Sequence, residues 1–471
     1  MRPALTSLRL SRRQLTKLFG AEIDHDYTIA DKVGLYPDQP FIVNSPGRQF
    51  VVYPPSKFNE IKSLPEQEAN AQNYFYDVTH GSYTHVGAET PALWKTIAID
   101  LARAGPPLVS TKQQGARISF DRYVGDCPGW KAFNLFDILM KIVALTNSAS
   151  FVGRELAGGK WHELVSQLPM ATYFPIMMVP WIPRLIQPLV LPFLFLPNLK
   201  VQRDMRQLLE PMIKQDLAQW EAAKDKREVL RVREGERLPY HQWLMSRYDP
   251  GEATPRQLAT DQIITAFEST VSTAIFLHNA LLDIAARPDI QDELRREIIE
   301  NTVDGQLPST NLRELQKMDS VMRETFRTSP PALFSLYRIT RKPLQLSLGP
   351  KLPVGTTLCV DVHHINNSPS IFPSPADYDP HRFLNKRTEP GAEHRHQFVS
   401  TGSRDPNFGD GTQACPGRFW ANTTIKVCLA HILSRYQVRL PDGASRPEST
   451  CMPNGIWVPD MKANLLFKSL E

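Results

Sequence analysis

The stretch FGDGTQACPGR, residues Phe408–Arg418, combines residue types that could hold a redox cofactor. Cys415 comes directly before a helix that Pro416 opens, and the positive end and free amides of a helix favour thiolate. Gly411 and Gly417 let the backbone approach a flat ligand closely. A thiolate held in this way is a suitable axial ligand for haem iron, because it promotes O–O cleavage. Cys415 is therefore predicted to be a metal ligand.

A second candidate group lies in the middle of a long predicted helix. Thr254-Pro255 is typical of a helix start, and an apolar helical pattern continues from there to Pro288. This is about 32 residues, or roughly 48 Å. Glu268-Ser269-Thr270 interrupts the apolar pattern, and a carboxyl group beside a hydroxyl can hold water and move protons. Alternatively, the two hydroxyls bond back to helix carbonyls and the acid reaches solvent.

Glu324 and Arg327 stand three residues apart on a predicted helix, so that they share a face and can pair. The same spacing occurs in three other pairs that we interpret as surface pairs of little energetic value, namely Glu228/Arg231, Glu234/Arg237 and Glu293/Arg296. Glu324/Arg327 differs in position, because its helix precedes the cysteine loop and Arg382 lies between the two. Arg338 is a lone arginine in a strand-like run, either solvated or paired with an anion.

Composition excludes several classes of protein. The 471 residues contain 54 Lys and Arg against 49 Asp and Glu, so bulk positive charge does not point to nucleic-acid binding. Hydrophobic residues make up 42% of the chain, which excludes wholesale disorder. The five cysteines are scattered without zinc-ligand spacing, which indicates reduced thiols in a cytosol-facing compartment.

The most apolar region is residues 170–199, where Arg184 is the one charged residue before Lys200. Six prolines interrupt it, each removing a backbone donor, so a single membrane-spanning helix is not expected. We predict either a monotopic membrane-surface patch or a cover over an apolar pocket. Residues 1–40 form a basic N-terminal extension without an apolar run long enough for a membrane anchor.

The remaining elements indicate a mainly α protein with a small β portion. Residues 41–471 show no repeat and no sharp composition break, which favours one large domain. Residues 221–237 read as a solvated helix and loop. Helices are expected at 92–104, 131–157, 311–328 and from 416 onwards, and strands at 50–53, 335–348 and 356–362.

The cysteine loop resembles the haem-binding loop of the cytochrome P450 family, the haem-thiolate monooxygenases. The resemblance extends from about residue 40 to the C-terminus. Four further segments occur in the family's order: the long helix, Glu324-Thr-Phe-Arg327, Arg338 and Pro380-His-Arg382-Phe383. The general appearance, including CPGRFWA, is similar to fungal secondary-metabolism members such as the ent-kaurene-oxidase-like group.

The resemblance implies a role for each motif. Cys415 would be the axial ligand of haem b, in a loop with Phe408, Gly411 and Gly417, and Arg338 would pair with a propionate. Glu324, Arg327 and Arg382 would form a buried network that braces the loop. Glu268 would be the acid and Ser269 the alcohol of the oxygen-side proton relay, although the family usually has threonine there and glycine two residues before the acid. Thr270 could replace Ser269 after a small helix distortion.

The resemblance also implies a function. The protein would oxidise an apolar small molecule, such as a terpenoid-like secondary metabolite, with O2 and electrons that NADPH supplies through NADPH–cytochrome P450 reductase. Its location would be the cytosolic face of the endoplasmic reticulum membrane, or the cytoplasm if the chain has no anchor. Two alternatives stay open: a haem-thiolate isomerase or dehydratase, and a catalytically silent scaffold of the same fold.

Overall fold

A computed structural model describes residues 38–45, 48–104, 108–223, 240–249, 251–452 and 454–470. Several parts of the chain discussed above lie outside the described residues. They are nearly all of the predicted extension 1–40, most of the charged stretch 221–237, and the pairs Glu228/Arg231 and Glu234/Arg237. The domain boundary near residue 40 therefore stays a prediction.

Helices make up most of the described chain, and short 3₁₀ turns and one π-helical segment, Thr96–Leu101, join some of them. The helices are α1 (Phe58–Lys62), α2 (Ala71–Val78), α3 (Gly81–Thr84), α4 (Pro91–Lys95), α5 (Ala102–Ala104), α6 (Val109–Tyr123), α7 (Leu135–Ala157), α8 (Lys160–Met178), α9 (Gln187–Leu194), α10 (Leu196–Ala222), α11 (Tyr240–Met245), α12 (Pro255–Ala285), α13 (Pro288–Asn301), α14 (Gln316–Thr328), α15 (His363–Asn366), α16 (Arg382–Arg387) and α17 (Arg418–Arg435).

The strands form small sheets at the edges of the helical body. They are β1 (Phe41–Ser45), β2 (Arg48–Tyr53), β3 (Ala69–Asn70), β4 (Lys131–Asn134), β5 (Phe334–Thr340), β6 (Thr357–Asp361), β7 (Tyr436–Arg439), β8 (Thr450–Cys451), β9 (Trp457–Val458) and β10 (Asn464–Ser469). The largest sheet has the order β1-β2-β6-β5-β3, and β2 and β6 are parallel. The second sheet has the order β4-β10-β7. The prediction of a mainly α protein with a small β portion is confirmed.

The long helix α12 passes through the core, as its apolar pattern predicts. The Thr254 hydroxyl accepts a hydrogen bond from the Gln257 amide and caps the helix, with Pro255 in the first turn. Nearly every residue from Leu258 to Ala285 is buried. The helix packs against α7, α8, α10 and α17, so its middle lies within reach of the cysteine loop that precedes α17.

Two predicted boundaries are wrong. Residues 131–134 form strand β4 rather than the start of a helix, because they pair with β10 more than 300 residues away. The strand predicted at 335–348 ends at Thr340, where its pairing with β6 stops. The register of β5 also shifts between Ser335 and Arg338, around Leu336 with a φ of +54°.

Residues 170–199 do not form one continuous helix. Helix α8 ends at Met178, a 3₁₀ turn follows, and the chain then continues into α9 and α10. In the described part of the chain one helix, α7, is long and apolar enough to cross a membrane, and 78% of its most apolar window is buried inside the protein.

Candidate active site

The cysteine loop is closed by one short hydrogen bond, because the amide of Cys415 donates to the carbonyl of Phe408 at 2.7 Å. Gly409 and Gly411 bend the chain between them with φ of +70° and +66°. The sequence analysis singled out Gly411 but missed Gly409, where a Cβ atom would lie 2.9 Å from the Gln413 carbonyl oxygen. These two conformations favour glycine over any other residue.

Gly417 differs from Gly409 and Gly411 in its backbone conformation. Its φ is −84°, which any residue can adopt, and no described atom lies within 4 Å of a Cβ built on it. Backbone conformation therefore does not require glycine at this position. What glycine provides there is open space beside Cys415, into which a flat ligand could enter.

The Cys415 thiol is half-buried and lies directly before helix α17. In the protein alone, burial raises the pKa of Cys415 to about 11, although hydrogen bonds from the Gly417 and Arg418 amides act in the opposite direction. The amides at the start of α17 favour the thiolate, but in the protein alone burial outweighs them. A coordinated metal cation deprotonates a thiol outright, so this position suits a thiol that binds a metal.

Phe408 connects the cysteine loop to the core. Its ring centroid lies 4.7 Å from that of Phe326 on α14 and 5.2 Å from that of Phe398. Aromatic pairs at these distances add to the stabilisation from burial alone. The loop is thus packed against the same helix that carries Glu324 and Arg327.

Glu324, Arg327 and Arg382 lie together in the interior. The Arg327 guanidinium donates to both Glu324 carboxylate oxygens, at 2.7 and 2.9 Å, and the Arg382 Nε donates to both at 3.1 and 3.2 Å. The Asp379 amide adds a bond of 3.0 Å to the same carboxylate. Glu324 has no exposed surface, so one buried anion is held by two arginines.

The contact from this network to the cysteine loop runs through two asparagines that sequence reasoning missed. Arg327 donates to the carbonyl of Asn366, whose side chain donates to Asn407 at 2.9 Å. Asn407 in turn donates to the Phe326 carbonyl and directly precedes Phe408. Asparagine is common in loops, and no spacing in the sequence marks these two.

Glu293 does not pair with Arg296 as predicted. Its carboxylate bonds Lys317 at 3.0 Å and His381 at 2.8 Å, and these residues tie α13 to α14 and to the segment before α16. The spacing of Glu293 and Arg296 allows an ion pair within α13, but Lys317 and His381 from other elements bind the Glu293 carboxylate instead. Glu293 is therefore not a neutral control for Glu324.

Arg338 is a buried cation, and two of its own hydrogen-bond donors have no partner among the described residues. It is 1% exposed, its Nη1 donates to the backbone carbonyl of Tyr337, and its Nε and Nη2 have no partner among the described residues. Burial lowers the pKa of Arg338 to about 10. Unsatisfied buried donors are costly, so this guanidinium is built for an anionic group that the protein itself does not supply.

These residues fit a haem group. The protein chain alone leaves a cationic donor without an anion at Arg338, open space beside Gly417 and a thiol that calls for a metal at Cys415. A haem propionate would supply the anion for Arg338, and the haem iron would supply the metal for Cys415. The donor set is a single soft sulfur, the ligand type that suits haem iron in oxygen chemistry.

Glu268 faces a cavity inside the protein. It is exposed although α12 is buried on both sides of it, and burial together with the Glu89 carboxyl raises the pKa of Glu268 to about 8. The Glu268 side chain thus has accessible surface but is surrounded by protein, which indicates that this surface faces an enclosed space and not the outside of the protein. The charge of Glu268 also raises the pKa of Cys415, which indicates that the two groups lie near each other.

The hydroxyls near Glu268 have different surroundings. Thr270 is buried and donates to the Ala266 carbonyl at 2.7 Å, and the half-buried Ser269 donates to the same carbonyl at 3.1 Å. Ser272, one turn after Glu268, is exposed as Glu268 is and donates to the Glu268 carbonyl at 2.9 Å. Residues four apart share a helix face, so the structure brings Ser272 to the cavity beside Glu268.

The fold is mostly helical, and it brings together a cysteine loop, a long helix that carries an acid, and a buried Glu–Arg–Arg network. This combination defines the haem-thiolate class of proteins. Residues 163–467 match the cytochrome P450 family, and the chain belongs to it.

Curated relatives agree with this assignment. The cytochrome P450 monooxygenase phmB of Phaeosphaeria nodorum is 62% identical over this whole chain and 87% of its own length. The monooxygenase ffsD of Aspergillus flavipes is 55% identical over the whole chain and 98% of its own length. Pyrichalasin C-18 hydroxylase of Pyricularia grisea is 40% identical over 91% of this chain and 80% of its own length. The protein is thus a haem-thiolate monooxygenase, as predicted, and the isomerase and scaffold alternatives are not favoured.

Arg338→Met should have opposite effects on the protein with and without haem. Without haem, it removes unpaired buried donors and should raise the free energy of unfolding by about 1–3 kcal/mol. With haem, it removes a charge-assisted contact and should speed haem loss about tenfold. Urea unfolding of the haem-free chain and haem transfer to an acceptor protein measure the two effects. The exposed Arg313→Met is the control, and a destabilised haem-free Arg338→Met would contradict this account of Arg338.

Proposed function

We propose that the protein hydroxylates an apolar small molecule of fungal secondary metabolism, with Cys415 as the iron ligand and Arg338 on a haem propionate. The observation that carries the proposal is the exposed carboxyl group of Glu268 in the buried middle of α12, whose charge also acts on the Cys415 thiol. The aromatic pair of Tyr173 on α8 and Phe267, next to Glu268, supports an apolar substrate, since the two ring centroids lie 5.7 Å apart and the Tyr173 ring is partly exposed. A terpenoid-like substrate stays a prediction.

Each residue then has a defined task. When bound, haem with a cysteine ligand activates O2 for insertion of one oxygen atom into a C–H bond. Glu268 is the group that holds a proton in the cavity, since burial and the Glu89 carboxyl raise its pKa to about 8 and so favour its protonated form at neutral pH. Ser272 is placed to orient a water molecule against Glu268, a role for which Ser269 and Thr270 were the candidates from sequence. Phe408 anchors the cysteine loop to the core, Gly411 bends it, and Gly417 leaves space beside Cys415 for the ligand.

The relay is tested by alanine variants of the three hydroxyl residues. Ser272→Ala should lower the product formed per NADPH consumed by about tenfold, because the water that receives the proton from Glu268 loses its partner. Thr270→Ala should have a smaller effect, since the Thr270 hydroxyl is buried whereas Ser272 is exposed, although both bond back to helix carbonyls. The assay uses holoenzyme, a fungal NADPH–cytochrome P450 reductase and a substrate identified by its binding spectrum. Full coupling in Ser272→Ala together with lost coupling in Ser269→Ala would restore Ser269 as the relay alcohol.

We also propose that electrons come from NADPH through a cytochrome P450 reductase, and that the protein works at the cytosolic face of the endoplasmic reticulum membrane. An exposed apolar face supports membrane contact. Leu185 is 89% exposed and Phe193 73%, and Leu189 and Trp181 are also largely exposed. A patch of this kind on a protein surface is typical of an interaction site. This apolar patch lies on α9 and on the turn before α9.

Ser substitutions in this patch should weaken membrane binding. The combined variant Leu185→Ser, Leu189→Ser and Phe193→Ser should bind phospholipid vesicles at least tenfold more weakly, since each buried apolar side chain contributes about 1.5–3 kcal/mol. Phe195 is left unchanged because it is fully buried against Tyr83, with ring centroids 4.8 Å apart.

The matched control for the patch replaces Ile118, Ile299 and Val354, which are exposed elsewhere on the surface. Vesicle sedimentation measures binding of both variants. Equal binding by the two variants would show that residues 170–199 cover a pocket instead of contacting a membrane.

A further inference from the structure

The loop before α4 is fixed against the long helix α12. The Thr90 hydroxyl donates to the Asp261 carboxylate at 3.0 Å and accepts from the Leu93 amide at 3.1 Å, so it caps α4 and ties the loop to α12. Asp261 has no exposed surface, and Gln257 and Tyr248 also donate to it. The residues next to Thr90 are therefore held along one face of α12.

That face continues to Glu268. Asp261 and Glu268 are seven residues apart, or about two helical turns, so they lie on the same side of α12. Glu89 precedes Thr90, and its charge acts on both acids. The carboxyl group of Glu89 lies close enough to that of Glu268 to act as its hydrogen-bond partner, and this neighbour raises the pKa of Glu268.

Glu89 is oriented by its own turn. The Gly87 amide donates to Glu89 Oε1 at 2.7 Å. Gly87 has a φ of +81°, and a Cβ atom there would lie 2.1 Å from the Tyr76 backbone nitrogen, so the turn requires glycine. Glu89 is half-buried, which gives it access both to Glu268 and towards the outside of the protein.

A hydrogen bond between two carboxyl groups requires a proton. Ionised carboxylates only accept hydrogen bonds, so one of the two groups must be protonated for the contact to form. Two like charges at this separation also repel each other, and the pair gains by keeping one proton between them. The geometry thus indicates a pair that holds a single shared proton.

We propose that Glu89 is the second carboxyl group of a proton-sharing pair with Glu268 and supplies it with protons from solvent. This rests on the proposed function. Glu268 gives the shared proton to water in the cavity, solvent then protonates Glu89, and that proton passes to the Glu268 carboxylate so that the pair again holds one proton. No electrons move and one proton crosses each contact. Glu89 acts through Glu268 and is a positioning residue.

Other titratable groups face the pair from the surrounding elements. They are Asp261 on α12, Tyr173 on α8, Tyr240 on α11 and Cys415 in the cysteine loop. The pKa values of the two tyrosines are raised, so both stay neutral at neutral pH. Protonated Glu268 is the competent form, so coupled turnover should be complete at low pH and decline as pH rises through about 8.

The test uses infrared spectroscopy of the holoenzyme across pH. A protonated-carboxyl band should titrate near pH 8 in the unaltered protein, and this component should be lost in Glu268→Gln, which leaves the lower-titrating band of Asp361 in place. Glu89→Gln removes the neighbouring charge and should shift the midpoint downward by about one pH unit. Glu89→Asp, which keeps the acid, should restore part of the shift, and the exposed Glu252→Gln in the turn before α12 should change nothing.

A second readout separates this proposal from the proposed function. Product formed per NADPH consumed should decline at a correspondingly lower pH in Glu89→Gln. An unchanged infrared midpoint in Glu89→Gln, or a shifted midpoint without a shifted coupling profile, would overturn the proposal. Failure of the proposed function would look different, because the unaltered protein would then form no product while the infrared titration still reported the pair.

Discussion

Glu324→Ala should lower the free energy of unfolding by about 3–5 kcal/mol and yield protein that does not retain haem. The variant leaves Arg327 and Arg382 buried without the carboxylate that both of them bond, and it leaves the Asp379 amide without an acceptor. Arg327 also holds Asn366, which leads through Asn407 to the cysteine loop. Loss of order at Glu324 should therefore reach the haem site. Urea unfolding and the ratio of haem to protein absorbance measure the two consequences.

The matched control is Glu314→Ala. Glu314 also pairs with an arginine, Arg313, at 3.0 Å, but both side chains are largely exposed. An exposed pair contributes about 0–1 kcal/mol, so this variant should keep its haem and its stability. Equal haem content in Glu324→Ala and Glu314→Ala would show that the buried network does not brace the haem site.

Local signals explain what the sequence could predict. The cap at Thr254 and the proline after it place the start of α12 correctly, because capping depends on neighbouring residues alone. The cysteine loop could be located because Cys415, its glycines and the helix start are consecutive in the chain. The pairing of Glu324 with Arg327 follows from their spacing on one helix.

Contacts between distant segments account for what the sequence could not predict. Strand β4 depends on a partner at the other end of the chain, and no local pattern marks it. Phe195 stands near the exposed Phe193 in an apolar run, yet it is fully buried because the start of α10 packs against α3, which carries Tyr83. The contact of Glu89 with Glu268 joins segments about 180 residues apart, which spacing arguments do not reach.

The thiol of Cys415 shows the same limit in its electrostatics. The helix start after Cys415 favours thiolate, and the sequence reveals that start. The depth at which the thiol lies depends on the whole fold, and burial outweighs the helix end in the protein alone. The identification of Cys415 as the ligand stays a prediction that rests on the loop, the open space beside Gly417 and the family.

Cys415→Ala should abolish the thiolate-type absorption of the reduced protein with carbon monoxide. Cys428→Ala is the matched control, because Cys428 is fully buried in α17, thirteen residues further along, and its thiol lies beside Thr146 away from the loop. It should keep the thiolate-type spectrum. The reduced, carbon-monoxide-bound spectrum of the two variants and the unaltered protein tests the central claim most directly. We predict the thiolate band in the unaltered protein and in Cys428→Ala and its absence in Cys415→Ala, whereas an unchanged band in Cys415→Ala would contradict the account.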